Sequence, residues 1–185
     1  YIPRIDQIAE GLYERLKEVA LKIHANPELG YEEYLACGEL SKLLSDYGFD
    51  LDPGYLGIPT AFKASFDSGK PGPKIAMLCE YDALPEIGHG CGHNLLGSGA
   101  YLAALAIKTF IEKGELKGTI RYYGCPEEEL LSGKVKMIYH GMFEGCDFAM
   151  SWHPMPSNEV YDEAFLASAS MKFHFKGKTS HAGFA

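Results

Sequence analysis

Apolar side chains recur at intervals of three and four residues along the first part of the chain. This spacing predicts an amphipathic helix with one apolar and one charged face. After the break HANPELG, a second helical pattern runs from about Glu32 to Tyr47. The chain is therefore predicted to open with two helices. The apolar positions are Ile5, Ile8, Leu12, Leu16, Val19 and Ile23 in the first and Leu35, Leu40, Leu43 and Leu44 in the second.

Short apolar runs bounded by turn residues follow the two helices and predict β-strands. FKASF, near Phe62, is one of them, whereas the preceding YGFDLDPGYLGIP is rich in turn residues. KIAMLC, GTIRYYGC and CDFAMSW have the continuous apolar character of strands that are buried on both faces.

Helices are predicted between these strands. A long one runs from Leu95 to Lys113, with Asn94 as its cap and Gly114 at its end, and a short one lies in KVKMIYHGMF. Strands that alternate with helices indicate an α/β domain with a largely parallel sheet. The final segment, ASASMKFHFKGKTSHAGFA, changes to an alternation of period two and indicates the start of a different layer or domain.

The composition favours a globular protein with an acidic surface. The chain has 185 residues, of which 46% are hydrophobic, so it can bury a core. A formal net charge of −8, without a segregated basic patch, argues against nucleic acid and anionic membrane surfaces as partners. We find no apolar run that approaches the roughly 18 residues of a membrane-spanning helix, and we expect a cytoplasmic protein. Five widely spaced cysteines without a C-x-x-C pair fit reduced thiols better than a disulfide framework.

Each of the three buried strands runs directly into ionisable residues. The segments that follow the strands are EYDALPEIGHGCGHN, PEEE and HP. Functional residues of α/β sheets gather at the carboxyl ends of the strands, and thiolate, imidazole and carboxylate groups bind Zn²⁺ and related ions. Cys91, His93, the glutamates after Pro126 and His153 are therefore candidate ligands of one metal centre.

Other interpretations of these residues remain open at this point. The glycines around Cys91 could form a turn beside a core thiol, three consecutive glutamates are typical of a solvated corner, and His153 could simply end a strand. Cys91 with a nearby histidine could serve a thiol-dependent enzyme. The sheet could also belong to a non-catalytic binding or regulatory module.

Several motifs in the same order resemble the aminoacylase, hippurate hydrolase and carboxypeptidase-G type of metallopeptidases and amidohydrolases. They are HANPELGYEE near the start, DALP at 82–85, GHGCGHN, PEEE, the histidine before Pro154 and GKTSHAG at the end. EYDALP with CGHN is most similar to the branch that contains one of the subunits of aminobenzoyl-glutamate hydrolase and the β-alanyl-lysine dipeptidase-like enzymes. Hippurate and auxin-conjugate hydrolases more often carry CGHD.

The resemblance implies a three-layer αβα zinc-exopeptidase-like catalytic domain with a mostly parallel sheet. It assigns residues 1–167 to the N-terminal part of that domain. Residues 168–185 would begin a smaller α+β dimerisation, or lid, domain that is truncated here.

The resemblance also implies a metal-ligand set. Cys91 would be a thiolate ligand between two divalent ions, Zn or Mn, and His93, Glu129 and His153 would complete the set within this chain. The family carries a last metal-binding histidine far downstream, so we expect the chain to be part of a longer enzyme and to have little activity alone.

The remaining candidate residues are implied to assist the reaction. Glu128 would be the general base and Asp82 would orient a metal ligand. His89 would not bind the ions itself and would at most contact a residue that does. His181 of the smaller domain would bind the substrate at the active site of a neighbouring subunit. Because an extended backbone puts Glu127 and Glu129 on one face, the role of Glu128 requires a turn just after Pro126.

The implied activity is metal-dependent hydrolysis of an amide or peptide bond. The implied substrates are a small N-acyl amino acid, an aminobenzoyl-glutamate-like conjugate or a dipeptide, and the implied assembly is a homodimer through the smaller domain.

Overall fold

The helices and strands follow the predicted order in the computed structural model, which describes residues 1–130, 132–160, 166–167, 169, 171–181 and 183. The chain divides into two compact units, residues 1–155 and 156–185. The elements of the first unit are the helices α1 (Ile2–His24), α2 (Tyr34–Asp46), α3 (His93–Glu112) and α4 (Gly133–Tyr139), and the strands β1 (Asp50–Pro53), β2 (Phe62–Asp67), β3 (Lys74–Cys79), β4 (Thr119–Gly124) and β5 (Phe148–Met150).

The five strands form one mixed sheet in the order β1-β2-β4-β3-β5. β3 pairs in parallel with β4 and β5, whereas β2 pairs antiparallel with both β1 and β4. Four strands therefore run in one direction and β2 alone opposes them. The expected α/β fold is confirmed, but half of the strand pairings are antiparallel, since β2 lies between β1 and β4. The prediction that the strand in CDFAMSW is buried on both faces is wrong, because β5 lies at the edge of the sheet and its three residues are exposed.

β1 was not predicted from the sequence. It comprises only the four residues DLDP, which are mostly exposed at the edge of the sheet. Main-chain pairing with β2 holds this segment, so no apolar alternation marks it in the sequence.

Helices cover both faces of the sheet. Met77 and Cys79 of β3 point into the main core, where α1, α2 and α3 pack against the sheet. Ala76 belongs to a second buried cluster on the opposite face, which includes Met137 of α4 and Met142 after it. Alternate residues of one strand thus enter different cores, as a central strand of a three-layer αβα domain requires.

α3 begins earlier than predicted. His93 is its first residue and Gly92, with φ 78°, is its N-cap, so the assignment of Asn94 as the cap is wrong. Asn94 lies inside the helix, where its side-chain amide donates to the carbonyl oxygen of Ala20 at 3.2 Å and links α3 to α1. Gly114 follows the helix end with φ 72°, as its predicted role demands.

α3 is a long, apolar helix. By length and composition its 20 residues could cross a membrane, contrary to the expectation that no run approaches this length, but 67% of the most apolar window is buried inside the protein. A core helix of a globular domain has the same composition.

The second unit contains none of the helices and strands named above in its described residues. The predicted domain boundary lies between residues 167 and 168, and residue 168 is outside the described residues. The boundary therefore stays a prediction.

Candidate metal centre

The segments after β3, β4 and β5 carry their ionisable residues to the same edge of the sheet. This follows from the parallel pairing of these strands, which brings their carboxyl ends together. The residues concerned are Glu80 and Asp82 after β3, Cys91 and His93 at the start of α3, Glu128 and Glu129 after β4, and His153 after β5.

The imidazole of His93 lies at the centre of this cluster. The residue is only 1% exposed, and its Nδ1 is 3.0 Å from both the carbonyl oxygen and Oδ1 of Asp82. Donation from Nδ1 to these oxygens leaves the lone pair on Nε2. Burial lowers the pKa of His93, but the hydrogen bond to Asp82 and the charge of that carboxylate outweigh burial and raise the pKa overall. Asp82 therefore contacts the ring of a candidate ligand, and the orienting role that the resemblance implies for it stays a prediction.

Asp82 also connects two loops of the site. Its Oδ2 accepts a hydrogen bond of 2.9 Å from the backbone N–H of Glu129. Burial raises the pKa of Asp82, but the hydrogen bonds from His93 and from the N–H of Glu129 lower it more, so the net shift is downward. The carboxylate is therefore kept ionised between its two donors.

A left-handed turn directs the second and third glutamates of PEEE into the site. Glu127 has φ 57°, and its N–H donates to Oε1 of Glu33 at 2.8 Å. Its carbonyl oxygen accepts the N–H of Gly133 at 3.1 Å. The turn that the resemblance required after Pro126 is therefore present. The segment is not a solvated corner, since Glu127 is buried and the two glutamates that follow it are half-buried.

The described part of the chain contains two overlapping groups of donor atoms. Within each group, all the donor atoms lie within 4.8 Å of one another. One consists of Cys91, His93 and Glu129, and the other of Glu80, His93 and His153. Nε2 of His93 and Oε1 of Glu129 are buried and make no hydrogen bond to a described residue. Buried polar atoms of this kind are costly without a partner. A divalent ion fits the requirement, because thiolate, imidazole and carboxylate are its ordinary ligands.

Cys91 is half-buried beside the carboxylates. A hydrogen bond with Glu129, burial and the charge of Glu129 raise the pKa of the thiol to about 11. A nucleophilic cysteine needs a shift in the opposite direction, so this environment does not favour the thiol-dependent alternative. A bound cation would reverse the local electrostatics and deprotonate the thiol.

Glu128 is a half-buried carboxylate beside His93. Its Oε2 lies 3.9 Å from Nε2 of His93. Burial and the nearby charge of Glu80 raise its pKa. A carboxylate with a raised pKa accepts and returns a proton more readily at neutral pH, as a general base must.

Two of the predicted residues belong to neither donor group. His89 belongs to neither donor group and stacks near His24, with ring centroids 6.3 Å apart, in a cleft of about 620 Å³ that Pro27 and Ile87 also line. His181 lies in the second unit. The roles assigned to both residues stay predictions.

Glu80 is a residue that the motifs did not single out. It directly follows β3, is 8% exposed, and places Oε2 3.3 Å from Nε2 of His93. Its Oε1 accepts a hydrogen bond from Nζ of Lys134 in α4. The available signal was the spacing of two between Glu80 and Asp82, which directs both side chains to one side of an extended segment.

Comparisons with known proteins identify relatives of the chain. The chain is 39% identical to a subunit of the p-aminobenzoyl-glutamate hydrolase of Escherichia coli, in a match that covers 96% of the chain and 40% of that protein. It is 36% identical to the Xaa-Arg dipeptidase of Mus musculus, over 97% of the chain and 43% of the enzyme. No family model matches the chain. The chain thus spans less than half the length of these relatives.

A solved structure shows the same fold. A dinuclear metal-binding peptidase of the M20 family from Bacillus subtilis superimposes with a TM-score of 0.71 at 24% identity, over 80% of this chain and 44% of the peptidase. The chain has the fold of an M20 metallopeptidase catalytic domain. It belongs to the aminoacylase, hippurate hydrolase and carboxypeptidase-G type of this family, as its motifs predicted.

Proposed function

We propose that the protein to which this chain belongs hydrolyses an amide or peptide bond in a small substrate with the help of two divalent metal ions. The observation that carries the proposal is the buried Nε2 of His93, which has no hydrogen-bond partner in the described chain and is surrounded by thiol, carboxylate and imidazole donors. Cys91, His93, Glu129 and His153 would hold the ions. Bound ions of this kind acidify a water molecule and polarise the scissile carbonyl group.

The chain's own residues supply the remaining chemistry. Asp82 holds the proton on Nδ1 of His93, so Nε2 stays a ligand atom. Glu128 would take a proton from the attacking water and return it to the leaving amine. The left-handed turn at Glu127 determines that Glu128, and not Glu127, faces the cluster.

The relatives support the substrate class. Their names describe a hydrolase of p-aminobenzoyl-glutamate and a dipeptidase that acts on Xaa-Arg. We extend this to N-acyl amino acids, aminobenzoyl-glutamate-like conjugates and dipeptides. Zn²⁺ suits the thiolate and imidazole donors, and Mn²⁺ suits the carboxylates, so both ions belong to the proposal.

The proposal also concerns the oligomeric state of the protein and its place in the cell. We place the protein in the cytoplasm, where five reduced cysteines are ordinary. We propose a homodimer in which the smaller domain joins the subunits. The bacterial relative is named as one subunit of a hydrolase, which is consistent with a protein that works in an assembly.

Glu128→Gln in the complete protein is the direct test. Hydrolysis of p-aminobenzoyl-glutamate, N-acyl amino acids and dipeptides should fall by about 10² to 10⁴ in kcat, because the proton acceptor is lost. The metal content, measured by elemental analysis, should stay at the wild-type value. Glu127→Gln is the matched control and should keep most of the activity. A variant Glu128→Gln that turns over normally, or a wild-type protein without metal and without hydrolase activity, would contradict the proposal.

A further inference from the structure

Glu80 occupies a place in the cluster that the family motifs leave without a role. The residue is buried, and its Oε2 is the carboxylate oxygen nearest to Nε2 of His93, at 3.3 Å against 3.9 Å for Oε2 of Glu128. Glu80, His93 and His153 form one of the two donor groups. The rings of the two histidines lie nearly perpendicular, with centroids 5.6 Å apart.

His93 belongs to both donor groups but has one free nitrogen. Nδ1 is engaged by Asp82, and Glu129 approaches the ring from that same side, with Oε1 3.8 Å from Nδ1. A single lone pair on Nε2 binds one ion. On the Nε2 side of the ring, Oε2 of Glu80 is the nearest carboxylate oxygen in the described chain.

Lys134 neutralises the buried carboxylate of Glu80, which lies close to that of Asp82. The ammonium group of Lys134 binds Oε1 of Glu80, which balances the charge and fixes the side chain. Oε2 is thereby left directed at His93. An ion pair with a purely structural role would not account for the nitrogen of His93 that is buried without a partner.

We propose that Glu80 is a further metal ligand, which holds one ion together with His93 and His153 and which Lys134 keeps in position. This inference rests on the proposed function and adds to the ligand set that the resemblance implies.

The test compares Glu80→Gln with the wild type in the complete protein. Glutamine has the same shape, and its amide oxygen can still accept from Lys134, but it is a poor metal ligand. Titration calorimetry with Zn²⁺ and with Mn²⁺, and elemental analysis after dialysis, should show roughly a 10- to 100-fold weaker affinity for one ion. The affinity for the other ion should change little. Glu86→Gln, which alters an exposed glutamate in the same β3–α3 segment, is the control and should bind both ions as the wild type does.

The variant Lys134→Met distinguishes two roles of Glu80, that of a metal ligand and that of an ion-pair partner of Lys134. If Glu80 served only Lys134, both variants would show the same change in thermal unfolding and neither would lose metal affinity, which would overturn the inference. A wild-type protein that binds no metal would overturn the proposed function as well. A wild type that binds metal, with Glu80→Gln binding it equally, would overturn only the role of Glu80.

Discussion

Glu33 is a fully buried carboxylate that contacts the loop carrying two residues of the candidate site. Its Oε1 accepts the N–H of Glu127, the residue with the left-handed turn, from 94 positions away in the sequence. Burial raises the pKa of Glu33. The residue belongs to HANPELGYEE, so a motif without an assigned chemical role helps to shape the loop that carries Glu128 and Glu129.

Glu33→Gln should change the pH dependence of stability. Because the folded-state pKa lies above the unfolded value of about 4.3, the folded wild type binds the proton more tightly. This contribution to the free energy of unfolding is present at low pH and is lost as pH rises through the folded-state pKa. Glutamine lacks this titration, yet its side-chain oxygen can accept the same N–H. The variant should therefore gain stability relative to the wild type as pH rises from the unfolded-state pKa of Glu33 through its folded-state pKa.

Urea unfolding at a series of pH values, in metal-free buffer, measures this difference. Glu32→Gln, at the exposed neighbouring position, controls for removal of a glutamate from the same segment. A stability difference between Glu33→Gln and the wild type that is constant with pH would show that the pKa of Glu33 is not raised.

At the level of elements, two loops that are distant in sequence pack together under the site. One joins α1 to α2 and contains Gly30, and the other joins β4 to α4 and contains Glu127. A Cβ atom on Gly30 would overlap the carboxylate of Glu127. A side chain at position 30 therefore requires the carboxylate of Glu127 to shift. The α1–α2 loop also binds the segment after β3, since the N–H of Ala83 donates to the carbonyl oxygen of Glu28 at 2.8 Å.

Gly30→Ala should destabilise the protein and impair catalysis together. The added methyl group must displace Glu127, and overpacking of this kind costs about 1 to 3 kcal/mol in the free energy of unfolding. We expect this shift to disturb Glu128 and Glu129, which follow Glu127 directly, so kcat should fall. Gly38→Ala is the matched control, because a Cβ there meets nothing within 4 Å in α2 and should leave stability unchanged or raise it by up to about 1 kcal/mol. Equal effects of the two substitutions on unfolding and on kcat would refute the packing argument.

At the level of the whole molecule, the proposed homodimer makes a prediction about how the sites are shared. If His181 acts at the active site of the neighbouring subunit, each site combines Glu128 from one subunit with His181 from the other. Glu128→Gln and His181→Ala are then each inactive alone. A mixed dimer of the two variants rebuilds one complete site.

Unfolding and refolding an equal mixture of the two variants should therefore restore activity to about a quarter of the wild-type value, because half of the dimers are mixed and each has one intact site. Light scattering after size-exclusion chromatography checks that the species is a dimer. A mixture that stays as inactive as its components, although mixed dimers have formed, would rule out a shared site.

The sequence alone was sufficient for the elements and for most of the candidate ligands. Helical and strand periodicities depend on residues that are close along the chain, so α1 to α4, β2, β3, β4 and β5 could be predicted. Cys91, His93, Glu129 and His153 were recognisable because each follows a predicted buried strand, and chain order together with parallel pairing brings strand ends together.

Only the tertiary structure decided which of these groups meet and what supports them. The antiparallel insertion of β2, the short edge strand β1 and the capping of α3 by Gly92 leave little trace in local patterns. The positions of Glu80 and Glu33 depend on Lys134 and Glu127, which lie 54 and 94 residues away. Burial and pairing of charges are properties of long-range contacts, and these exist only after the sheet has brought separate segments together.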